Sequence, residues 1–65
     1  MKLCYFEDTD TLYIELKNTD ITESKDLYEN TILDLDIEGN IVAITMEHAS
    51  KRTDLQNLTV SGIAA

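Results

Sequence analysis

The sequence predicts an α+β fold: a small antiparallel β-sheet of four to five strands, built from two hairpins, with one short α-helix after residue 46. Three observations carry this. Leu12-Tyr13-Ile14-Glu15-Leu16-Lys17 alternates apolar and polar side chains, the period of a half-buried strand. Ile41-Val42-Ala43-Ile44-Thr45-Met46 is β-branched and apolar on both faces, which suits the centre of a sheet. From Glu47 to Asp54 the β-branched residues give way to Ala49 and long charged side chains, which suits a helix.

In chain order, Leu3-Cys4-Tyr5-Phe6 reads as the first strand and the acidic, Thr-rich stretch 7–11 as a loop. That loop holds no Gly, so it is longer than a two-residue turn. The second strand places Leu12, Ile14 and Leu16 on one face and Tyr13, Glu15 and Lys17 on the other. Residues 18–30 are polar; Ile21-Thr22-Glu23-Ser24-Lys25 reads either as a charged edge strand or as a loop. Thr31 to Ile37 forms the next strand, with Leu33, Leu35 and Ile37 on one face and Ile32, Asp34 and Asp36 on the other. Glu38-Gly39-Asn40 turns the chain, Gly39 being suited to φ > 0. After the run 41–46, Glu47 and Lys51 form a favourable i,i+4 pair on the expected helix. Leu58, Val60 and Gly62 alternate as a last short strand, which extends this sheet or a partner's edge.

The 65 residues make one domain, 1–65, and a chain this short buries only about 60% of its unfolded surface. A single core of that size supplies only a few kcal/mol, so a homodimer or a complex with another chain is expected. One cysteine, Cys4, excludes a disulfide framework and a Cys-rich zinc module. The N-terminus reaches Glu7 and Asp8 before any long apolar stretch, which does not suit a signal peptide. With a free thiol, the expectation is a cytoplasmic protein with no membrane contact.

Charge is the strongest compositional signal. Residues 1–40 hold eleven acids against three lysines, and residues 41–65 hold two acids against two bases. The whole net charge of −8 therefore lies in the first part of the chain. Direct nucleic-acid binding is not expected, because phosphate contacts need a basic face. A basic protein is the natural complement, and the alternative is that the acids only keep a small domain soluble. If the two hairpin turns share one end of the sheet, Asp8, Asp10, Asp34, Asp36 and Glu38 form an acidic edge for such a partner.

Other chemistry is weaker. Asp34, Asp36, Glu38 and Gly39 imitate the start of a calcium loop. The position that needs a bidentate Glu is Thr45, and the acids alternate with Leu35 and Ile37 as a strand requires. No metal or other cofactor is expected. Glu47-His48 beside Lys51-Arg52 forms an acid–base and anion candidate, although such a group is more often a solvated first turn of helix. Cys4 and His48 would need hydrogen-bond contact to act as a dyad.

The stretches MKLCYFEDTDTLYIEL and ILDLDIEGNIVAITMEHASKR resemble small bacterial proteins grouped as domain of unknown function 2283. The features that carry the likeness are Asp8 and Asp10, Leu12-Tyr13-Ile14, Ile32-Leu33-Asp34-Leu35-Asp36, Gly39 and Ala49-Ser50, over residues 1–52. The resemblance implies a compact sheet-plus-helix domain with no established enzymatic activity and no catalytic residues. It also implies an antitoxin-like role beside partners of the domain of unknown function 4258 type, which are toxin-like ribonucleases. The expected function is thus a non-enzymatic acidic module that binds and neutralises a basic protein. The alternatives are a small ligand- or metal-binding enzyme using Glu47 and His48, and a purely structural homodimer.

Overall fold

The computed structural model describes residues 1–55. Within them the chain forms strands β1 (Lys2–Phe6), β2 (Thr11–Glu15), β3 (Glu23–Tyr28), β4 (Thr31–Leu35) and β5 (Ile41–Glu47), followed by helix α1 (Ala49–Arg52). All neighbouring strands are antiparallel, in the order β1-β2-β5-β4-β3. The protein is therefore mostly β, with a helix of four residues rather than eight. Two hairpins expand to three, because residues 23–28 form an edge strand that pairs with β4.

β5 occupies the centre, as its two apolar faces require: Val42 and Ala43 are both buried. The registers build two apolar rows on one face. Leu3, Ile14, Ile44 and Leu33 cross four strands, and Tyr5, Leu12, Met46 and Thr31 run beside them. Leu12, Val42 and Leu35 are the buried apolar side chains of this face, and Thr31 is buried beside them. On the opposite face, Glu15, Ala43 and Asp34 form a row in which the small central residue lies beneath longer neighbours.

Turns depend on residues that tolerate φ > 0. Asp10 (φ 53) closes the loop 7–10 and Asn30 (φ 62) closes the β3–β4 turn. His48 (φ 56) makes the corner between β5 and α1, and Gly39 (φ 83) makes the β4–β5 turn. The His48 corner is why the helix starts late: Glu47 is still the last residue of β5, so it forms no helical pair with Lys51. Ile37 also departs from expectation. The chain leaves the strand after Leu35, and Ile37 sits in the turn, 86% exposed. The strand read at Leu58 to Gly62 lies outside the described residues.

Gly39 has no heavy atom near the position of an added Cβ, so its φ alone demands glycine. Gly39→Ala should lower stability by about 1 kcal/mol, and Gly39→Asn by less. Urea unfolding of both variants measures this; equal losses would show that the left-handed backbone is not the cause.

Candidate functional site

The topology separates the acids grouped in the sequence reading. Loop 7–10 and the β3–β4 turn lie at the end of the sheet where β5 finishes, and the β4–β5 turn lies where β5 begins. Asp8 and Asp10 are thus at one end, and Asp34, Asp36 and Glu38 at the other. The shared acidic edge does not form, because β2 pairs with β5 and points the two turns in opposite directions.

Three of the five carboxylates accept hydrogen bonds within the fold: Asp10, Asp36 and, from Ser24, Asp34. Asp10 accepts the Tyr5 hydroxyl on Oδ1. The same oxygen accepts the Ser50 backbone N–H at 3.1 Å, and Oδ2 accepts the Ser50 hydroxyl at 2.7 Å. Its backbone carbonyl accepts the Ala49 N–H at 2.9 Å. Asp10 therefore caps α1 from forty residues away in the chain, a job that His48 at the N-cap position does not perform with its side chain. Hydrogen bonds from Tyr5 and Ser50 hold the Asp10 carboxyl below its ordinary value, and the His48 ring adds to the effect. The same Asp10 bond, with burial, raises the Tyr5 hydroxyl.

Asp36, only 8% exposed, organises the far end. Its Oδ1 accepts the backbone N–H groups of Glu38 at 3.0 Å and Asn40 at 2.9 Å, and its Oδ2 pairs with Lys17 Nζ at 2.8 Å. This is an Asx turn, and it explains the calcium-like spacing: the oxygens that a cation would need point at backbone donors. Lys17, then the backbone donors, lower the Asp36 carboxyl, and Asp36 in turn raises the Lys17 ammonium. Among the described residues no cluster of three or more His, Cys, Asp or Glu is placed to hold a metal ion.

The remaining candidates do not converge. Asp34 accepts the Ser24 hydroxyl at 2.6 Å across the β3–β4 pair, while Asp8 and Glu38 are exposed. Glu47 ends β5 and His48 follows at the corner, both exposed, and the His48 ring makes no hydrogen bond among the described residues. Cys4 is a free thiol, half-buried in β1 opposite Tyr13, and forms no hydrogen bond with His48 among the described residues. Arg52 is committed to structure: its guanidinium donates to the carbonyls of Asn30 at 2.7 Å and Glu47 at 3.1 Å, and to Thr31 Oγ1 at 2.5 Å.

The acidic surface missed by the motif reading lies on β3. Every residue from Glu23 to Tyr28 is exposed, and β3 is an edge of the described sheet. Asp20, Glu23, Asp26 and Glu29 line this stretch against a single base, Lys25, with Leu27 and Tyr28 at 62% and 72% exposure. Acids on both faces erase the alternation that betrays a strand, so the sequence leaves residues 21–25 open between a charged edge strand and a loop; the structure has the strand, shifted to Glu23–Tyr28.

The shifts fix the pH response. Asp10 and Asp36 are lowered from 3.8, so their contribution is complete above that range and disappears as pH falls through the folded-state values. Tyr5 and Lys17 are raised from 10.0 and 10.5, so theirs is complete below that range and disappears as pH rises through the folded-state values. The thermal midpoint should be flat near neutrality and fall below about pH 4 and above about pH 10. Asp36→Asn should lower the neutral-pH midpoint and shrink the acid fall; a variant retaining the full fall would remove Asp36 from the account.

A family model described as protein of unknown function, DUF2283, matches residues 2–50. No curated protein and no solved structure matches the chain. The matched span runs from the first residue of β1 to Ser50, the residue that Asp10 caps. The chain belongs to the DUF2283 family of proteins of unknown function.

Proposed function

We propose that this protein is a non-enzymatic interaction module that binds a basic protein through its acidic β3 edge. The single observation that carries the reading is β3 itself: an exposed edge strand, four nearby carboxylates against one lysine, and two exposed apolar side chains beside them. An edge strand offers unpaired backbone groups to an incoming strand, and the carboxylates select arginine and lysine. Leu27 and Tyr28 supply the apolar contact that charge alone lacks.

The family resemblance supports a neutralising role in which the basic partner is a toxin-like ribonuclease. The partner's positive face, which must bind RNA phosphates, is the surface that an acidic strand would cover. Among the described residues no helix is long and apolar enough to cross a membrane; a cytoplasmic setting is part of this proposal and rests on the free thiol of Cys4.

Capture with a tagged copy, followed by mass determination, identifies the partner, and calorimetry then measures affinity. Glu23→Lys with Asp26→Lys should weaken binding at least tenfold while leaving the circular dichroism spectrum unchanged. Asp8→Lys, Asp34→Lys and Glu38→Lys should change it less. Unchanged affinity in the β3 double variant would reject this surface. Asp36→Lys is unsuitable for the purpose, since it breaks the turn itself.

A further inference from the structure

The two edges of the described sheet are built differently. β3 carries acids, whose like charge opposes pairing with a copy of itself, and its register with β4 shifts at Leu27. β1 has neither: its register with β2 is regular, its only charge is Lys2, and Leu3, Tyr5 and Phe6 are exposed, Phe6 at 50%. Among the described residues, this edge is regular, apolar and nearly uncharged, the kind of edge that pairs with another strand.

We propose that β1 pairs antiparallel with β1 of a second copy, centred on Cys4, joining two sheets across a twofold axis. The sequence of the strand is self-complementary in this register. Leu3 faces the partner's Tyr5 and Tyr5 faces the partner's Leu3, so the apolar row Leu33–Ile44–Ile14–Leu3 continues into the second sheet. Lys2 faces the partner's Phe6 and comes next to the partner's Glu7 and Asp8, and the symmetry repeats the contact. The acidic β3 edges lie at the two far ends of the joined sheet, where like charges are most distant. The proposal does not depend on the β3 reading, and it leaves β3 open for a different partner.

Cys4 reports the register. Directly opposed residues of an antiparallel pair have Cα atoms about 4.5–5.5 Å apart, within the range a disulfide spans. Sedimentation equilibrium of the full chain should give twice the chain mass. Diamide, which takes up the two thiol hydrogens, should then produce a covalent dimer through Cys4. Leu3→Lys should sediment as a monomer with an unchanged circular dichroism spectrum. A control with Cys4→Ser and Ser24→Cys moves the thiol to β3 and should give no cross-link. A monomeric wild type would assign the β1 edge to another occupant and overturn the proposal. So would a dimer in which Cys4 resists cross-linking, or one in which the β3 thiol cross-links instead.

Discussion

The fold depends on the hydrogen bonds that Asp36 accepts. They close the turn between β4 and β5 and, through Lys17, tie that turn to the chain leaving β2. The strands that meet there, β2 and β5, are neighbours in the sheet but far apart in sequence, and no short loop sets their pairing. Asp10 does the equivalent work at the opposite end, joining loop 7–10 to α1, while Arg52 joins α1 to the β3–β4 turn. A sheet of five short strands with one small helix has little buried apolar surface, so side-chain bonds across turns carry an unusual share of its specification.

Much of the sheet was legible. The alternation from Leu12 to Lys17 placed β2 correctly, and the doubly apolar run 41–46 placed β5 at the centre. What failed had local causes. Alternation continues through Asp36 and Ile37, so the pattern cannot show that the Asp36 side chain has already turned the backbone. The helix was drawn too long because a left-handed His48 is invisible to composition. The acidic edge was misplaced for a different reason. Two hairpins read separately contain no information about which way each points, and only the β2–β5 pairing supplies it. The cap from Asp10 to Ser50 spans forty residues, beyond any local rule.

The acids therefore divide by task. Asp10 and Asp36 point inward to donors and define geometry, whereas Glu23, Asp26 and Glu29 stay in solvent along β3. Of the residues that carry the family likeness, Asp10, Asp36, Gly39, Ala49 and Ser50 build turns or seat the helix, and Leu12 to Ile14 and Ile32 to Leu35 form β2 and β4. The likeness is thus a likeness of architecture. The β3 carboxylates Glu23 and Asp26 lie outside that pattern.

Placing β5 between β2 and β4 has a consequence for biosynthesis. As the chain leaves the ribosome, β1 and β2 emerge first and can form their hairpin, but the strand that covers the other side of β2 is made some thirty residues later. At about 5–20 residues per second, the hairpin waits a few seconds with one unpaired edge on each side. β3, emerging next, has three charged residues, more than any other strand, and is the poorest substitute for the apolar β5, which disfavours its pairing with the waiting hairpin.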